Sequence, residues 1–571
     1  MKKLLDLFLI VVLMILILVT GAFAAAPKAE SPKYGGSLTI LERYPGINPI
    51  AWDNAAWAWK HPYDTGFYME QLMVGDLQKG PRGTNEYDFL ENSWIPHPVA
   101  KGELLEKWEV SKKPMKITFH LRKGVMWQDK PGVMKARELT ADDVVSNFER
   151  MSKSPKALKS HWEFIDEWKV IDKYIFAIHL KKWDADWRYK LGWGVYSSIQ
   201  APEQDKAPGG ANKWENATGT GPYMLTDYKD GHSQTYTKNQ KYWDSDSIGG
   251  KKYQLPFTDK VVMMLIKDEA TQVASFRTGK VDVMMNMDPR YIDDIKKANP
   301  EIKWKRALYG GNFSLVLRMD TKPFNDIRVR RALNLAVDKN AIIKTIYRGQ
   351  AELQTYPYPA NFKEIYTPLE KLSPAARELL TYNPEKAKKL LAEAGYPNGF
   401  SFKAQLSNAS QTEMDVAAMV AAFLAKIGVN LELVPMDYPS WLSVMIKKAH
   451  QSALFMMNGH GSILAGLRKN FMTGSLWNPH MMSDPYFDKT FDTIEEDPNL
   501  SDTKAYAELK KLIVYTIEQA PAVILPQPYT YVAWWPWVKN YYGELRVGQQ
   551  RSSPIWARVW IDQDLKKKMG Y

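Results

Sequence analysis

The chain contains no cysteine. That excludes a disulfide framework, a Cys–His nucleophile and a lipid carried on an N-terminal thiol. A chain of 571 residues does not need staples, because surface-to-volume scaling lets large domains close their own cores. Other absences narrow the chemistry. No G-x-S-x-G elbow occurs, since Gly461-Ser462-Ile463-Leu464 lacks its second glycine. The nine histidines form no H-x-x-x-H or H-E-x-x-H pair, so no metal-ligand spacing is present. Repeats, low-complexity tracts and long Gly/Ser linkers are also missing. The formal charge is +12, yet no block of five like charges appears. The lysines are spread among acids, which reads as a solvated basic surface and not as a nucleic-acid footprint.

Only one long apolar run exists, and it stands at the N-terminus. Lys2 and Lys3 precede Leu7–Val19, and Ala22-Phe23-Ala24 supplies small residues at a cleavage site. This is the pattern of a cleavable secretory signal over 1–24. An uncleaved membrane anchor is the rival reading, because the run approaches the ~20 residues that span a bilayer. The remainder, at roughly 100–200 residues per domain, predicts two or three domains.

What is present is well punctuated. Lys116–Leu121, Tyr174–Leu180 and Val429–Leu433 alternate apolar with polar, as half-buried strands do. Thr140-Ala141-Asp142-Asp143 resembles a capping box, and Asn383-Pro384-Glu385 places cap, proline and acid at a helix start. Stripes at i, i+3, i+4, i+7 predict helices through Val329–Ala336, Ala387–Ala394 and Val416–Ile427, with Asp338 capping a further one. Helix–Gly–strand succession in the C-terminal half predicts α/β architecture with mostly parallel pairing. The Pro- and Trp-rich stretch from about 60 to 195 reads as a separate α+β unit.

Gly219-Thr220-Gly221-Pro222-Tyr223 tests for a phosphate loop. Neither G-x-G-x-x-G nor a Gly-Lys-Ser/Thr ending is there, and Pro222 removes a backbone donor. The motif is a turn entering a strand. Acidic runs such as Glu495-Glu496-Asp497 read as a solvated helix end, although a glycosidase pair of acids is a matter of spatial separation and not of spacing in sequence. His460 stands between glycines in Asn458-Gly459-His460-Gly461, which lets backbone approach a ligand. A plain turn histidine is the alternative. Twenty-one tryptophans fit either a carbohydrate-stacking surface or large aromatic cores.

Six ordered blocks carry a family resemblance over about 34–565. They are Tyr34–Leu38, 104–129 with 139–151, GTGPY with Asn239–Trp243, 268–284, 323–342 and 382–400. The chain resembles the dipeptide- and oligopeptide-type solute-binding proteins of ABC importers, family 5. The resemblance implies an α/β, periplasmic-binding-protein-like fold of class II type, two lobes on a hinge, with an extra α+β domain. Its implied bounds are lobe I at 33–59, 196–310 and 526–571, the extra domain at 60–195, and lobe II at 311–525. It also implies a periplasmic monomer that binds a small molecule or peptide in the interlobe cleft. Such a protein meets a membrane permease transiently, needs no cofactor or metal and catalyses nothing.

One departure matters. Peptide binders of the family resemble one another in an acid that takes the ligand amine after the strand that here reads Ala453–Met457. This chain continues Asn458-Gly459-His460-Gly461-Ser462, without an acid. A buried ammonium without a carboxylate partner is costly. The candidate ligand-binding set is therefore Tyr44, Trp52, Trp57, Asn458, His460 and Trp477, with Trp59 adjacent. Aromatic faces with amide and imidazole groups suit a saccharide or other uncharged solute. Peptide, saccharide or another solute all stay open, and a secreted glycoside hydrolase is the remote alternative.

Overall fold

The computed structural model describes residues 30–42, 51–90, 94–308, 311–459 and 461–571. The expected leader over 1–24, Tyr44 and His460 lie outside the described residues. Among those described, no helix is long and apolar enough to cross a membrane.

Two large sheets organise the chain. The first has eight strands, along the path 303–308, 527–534, 283–287, 37–41, 260–264, 233–238 and 223–229, with Ala351–Glu352 added on 527–534. Strand Ser37–Leu41 is parallel to both Lys260–Met264 and Val283–Met287. The second sheet has five strands in the order 429–436, 400–407, 453–458, 312–317 and 522–524. Its first three strands are parallel and its last two pair antiparallel. The expectation of mostly parallel pairing is thus corrected to a half-and-half sheet. The helix–Gly–strand units generate only the parallel half. The strands 312–317 and 522–524 are where the chain enters from and leaves for the eight-stranded sheet, and no crossover helix sets their direction.

The helices begin where local chemistry dictates. Thr140 and Asp143 form the reciprocal capping box of Ala141–Ser152. Asn383, Asp338, Asp326 and Ser410 each accept from a backbone N–H in the first turn of the helix they precede. Gly428, at φ +79°, turns the end of Gln411–Ala425 into strand Val429–Met436. Phe313, Leu315, Ala404, Val416, Val420 and Phe455 close one face of the five-stranded sheet. Val316, Leu454 and Met456 face the other way, under Trp441 and Met445.

Between 105 and 180 a third, all-antiparallel sheet of four strands carries Ala141–Ser152. Phe119 stacks on Phe176 at 4.8 Å inside it, with Trp187 edge-on at 5.9 Å. This unit is fastened to the C-terminal segment by a buried bidentate pair between Glu103 and Arg551. Tyr242 and Trp243 of the NQKYW block both donate to buried Glu70. GTGPY leads into strand Tyr223–Lys229 as expected. Its glycines, however, serve a close crossing. A β-carbon on Gly219 would collide with the Tyr68 carbonyl and stand 3.1 Å from the Met69 nitrogen, while Gly221 N–H donates to that same carbonyl at 2.9 Å.

Candidate functional site at the facing strand ends

Parallel strands present the C-terminal edge of a sheet as a crevice, since the chain leaves each strand there in a loop or a helix N-terminus. In the eight-stranded sheet that edge follows Leu41, Met264 and Met287. In the five-stranded sheet it follows Ser407, Met436 and Asn458. Contacts leave the second sheet's edge after each of its three parallel strands, two of them to segments beyond the first sheet's edge and one to the segment that follows the four-stranded sheet. After 400–407, Thr412 Oγ1 donates to Asp288 Oδ2 at 3.2 Å. Tyr438, after 429–436, accepts from Trp59 Nε1 at 3.2 Å. Beyond 453–458, Ser462 Oγ donates to Asp186 Oδ2 at 2.5 Å, and Gly461 packs on Tyr189. Asp186 and Tyr189 belong to the segment that follows the four-stranded sheet.

Electrostatics at this edge are uneven. Asp186 is buried, and burial with Asp184 beside it pushes its carboxyl well above the usual carboxylate range. Lys190 is paired with Asp184. Burial lifts Glu413, at the first turn of Gln411–Ala425, to about 7. Lys469, on Ile463–Phe471, has its ammonium pulled down to about 8 by burial. Its Nζ donates to the Gly459 carbonyl at 3.3 Å and lies 5.0 Å from the centre of the Trp477 ring. Asn458 is 2% exposed. Its Nδ2 reaches Ser314 Oγ at 3.2 Å, while its Oδ1 has no hydrogen-bond partner.

The residues singled out from sequence separate into three groups. Asn458 and Trp477 come together with Lys469 on one face of the five-stranded sheet. Trp52 and Trp57 are placed in packing: Trp52 meets Tyr228 edge-on at 5.2 Å, and Trp57 donates its indole N–H to the Met151 carbonyl and packs against Tyr196 at 4.4 Å. Tyr44 and His460 are not described. Sequence reasoning passed over Tyr438, Tyr189, Asp186 and Lys469. Lys469 sits in Arg468-Lys469-Asn470, which by pattern is a solvated helix face, and nothing local announces that it turns inward. Among the described residues no group of three or more His, Asp and Glu is placed to hold a metal ion.

The family model described as "Bacterial extracellular solute-binding proteins, family 5 Middle" matches residues 100–465. The chain belongs to family 5. Among curated relatives, Heme-binding protein A of Haemophilus influenzae is 30% identical over 360 residues, 59% of this chain and 62% of that protein. Dipeptide-binding protein of Escherichia coli is 30% identical over 378 residues, 62% of this chain and 67% of that protein. The family 5 fold covers more than these alignments do. DppA from Helicobacter pylori, in complex with the peptide STSA, superposes with a TM-score of 0.75 at 22% identity, covering 93% of this chain and 99% of that one. AgaA, in complex with agropinic acid, gives 0.73 at 21% identity, covering 92% and 99%. These likenesses show the two-lobed, mixed α/β periplasmic-binding-protein fold of class II type.

Proposed function

We propose that this family 5 protein is the extracytoplasmic capture component of an ABC importer, holding a small solute between its lobes and delivering it to a membrane permease. The observation that carries this reading is the facing of the two C-terminal edges, joined by the Thr412–Asp288 and Trp59–Tyr438 contacts and flanked by Ser462–Asp186. A crevice closed by a few polar contacts is suited to binding that couples to closure, because a ligand touching both sides favours the closed state by its differential affinity. The hinge is assigned to the two places where the chain passes between the sheets, between Leu308 and Asn312 and between Ile524 and Gln527. Cleavage of the N-terminal leader would release the protein outside the cytoplasm. It would act as a monomer, without catalysis.

The ligand set is proposed as Asn458 and Trp477 from the five-stranded side with Trp59 across the gap, together with His460 and Tyr44, which lie outside the described residues and are carried from the sequence alone. Relatives named for dipeptide and for heme, and a fold neighbour holding agropinic acid, support a family whose pockets differ. Native mass spectrometry of protein recovered from its own extracytoplasmic fraction tests the proposal. An intact small molecule at near-unit occupancy supports capture. Turnover of that molecule on incubation overturns the non-enzymatic reading. His460→Ala should weaken binding at least tenfold with an unchanged melting temperature, and unchanged affinity removes His460 from the site.

A further inference from the structure

Most buried ammonium groups in this protein have an evident partner. Lys60 is held by Asp64 and Glu42, and Lys190 by Asp184. Lys339 donates to the Asn334 and Val337 carbonyls at the end of helix Ile327–Ala336. Lys469 differs. It has one long hydrogen bond to the Gly459 carbonyl and one aromatic face, Trp477, and no carboxylate lies within ion-pair distance among the described residues. Burial alone depresses its pKa. A half-buried cation at a crevice edge costs free energy unless something anionic completes it.

A second, independent observation lies on the same face of the same sheet. The side chain of Asn458 is buried, and its Oδ1 accepts nothing. Asn458 precedes Gly459, whose carbonyl Lys469 touches, and it follows Leu454 and Met456 in the strand's alternation, the face on which Trp477 packs. A donor cation lies over the Trp477 ring, and an unpartnered acceptor stands on the sheet face against which that tryptophan packs.

Resting on the capture reading above, we infer that Lys469 is a specificity-determining residue that pairs with an anionic group of the solute, while Asn458 Oδ1 accepts from an N–H or O–H on the same molecule. The solute class is a small organic acid bearing a neighbouring donor, such as an acidic sugar conjugate or an N-blocked peptide. Neutral saccharides and solutes that are only cationic are discriminated against, since they leave the ammonium unpaired or repel it.

The test compares full-chain wild type, Lys469→Met and Lys469→Arg, each recovered from the extracytoplasmic fraction, with bound molecules released and read by accurate mass. Circular dichroism and melting establish that all three are folded. The expected result is a compound with a carboxylate, phosphate or sulfonate in wild type, distinguished from one another by mass. Its occupancy falls at least tenfold in Lys469→Met and within about threefold in Lys469→Arg. A wild-type compound without an acidic group, or equal occupancy in wild type and Lys469→Met, overturns the inference and leaves capture standing. Wild-type protein that releases nothing, and whose melting temperature is unmoved by the dipeptide Met-Leu and its N-acetyl and amide forms, overturns capture and this inference together.

Discussion

Gly461 packs against Tyr189 so closely that a β-carbon on the glycine would lie 2.7 Å from ring carbon Cε2 and closer still to the phenol oxygen. The tyrosine cannot yield easily, because it is buried, its hydroxyl donates to Gln549 Oε1 at 2.7 Å, and its ring packs edge-on against Trp193. The glycine is required by the approach of two parts of the molecule and not by a turn.

Gly461→Ala should therefore hold the loop after 453–458 away from Tyr189. Small-angle scattering is expected to show a larger radius of gyration than wild type, with each sheet's own stability intact, and Tyr189→Ala in the same chain should restore compactness. An unchanged radius for Gly461→Ala would show that the contact does not limit closure.

Tyr438→Phe removes the acceptor for Trp59 Nε1 while keeping the ring. A hydrogen bond of this kind contributes about 1 kcal/mol net. The expected outcome is a loss of roughly fivefold in affinity for the molecule that wild type carries, measured by calorimetric titration. No change would mean that water replaces the tyrosine without cost.

Glu103 and Arg551 form a buried bidentate pair joining the start of the four-stranded unit to the C-terminal segment. Arg551→Met should destabilise by about 3–5 kcal/mol, because it strands a buried carboxylate. Replacing both partners with apolar residues should recover most of that loss. A double-mutant cycle in denaturant reads the coupling, and additive losses would refute it.

Lys339 is buried, and burial depresses its ammonium to about 7. Between about pH 7 and its ordinary range near 10.5 the unfolded chain binds the proton and the folded one does not. Stability therefore rises with pH across that window, and this contribution is lost as pH falls through 7. Lys339→Met should flatten the rise, with a difference of a few kcal/mol at most. Parallel urea titrations at pH 6.5 and 9.5 check it; an equal rise in both proteins would count against the assignment.

The parts of this protein written locally were legible in sequence. Thr140 with Asp143, Asn383, and Asp338 cap helices because the partners of each bond lie within three residues. The ordered blocks carried the fold for the same reason in aggregate. What was illegible depends on contacts between distant segments. Trp52 and Trp57 look alike in sequence to Trp59, yet only Trp59 spans the gap to Tyr438. GTGPY read correctly as the entry to a strand, but the demand on Gly219 comes from Tyr68, far away in the chain. Lys469 could not be told from a solvated helix lysine, since its burial is supplied by the loop at Gly459 and by Trp477.

The passage between the two sheets has a mechanical meaning. The outgoing and returning chains are hydrogen-bonded neighbours on both banks: Leu308 stands opposite Tyr529 in one sheet, and Ser314 opposite Ile524 in the other. A third ribbon, Ala351–Glu352, is clamped to Pro528 and Gln527 beside them. Straps fixed side by side at both ends behave as a flexure. They bend together in one direction but resist sliding and twisting, so closure of the kind proposed above would bring the residues on the two facing edges back to the same registration.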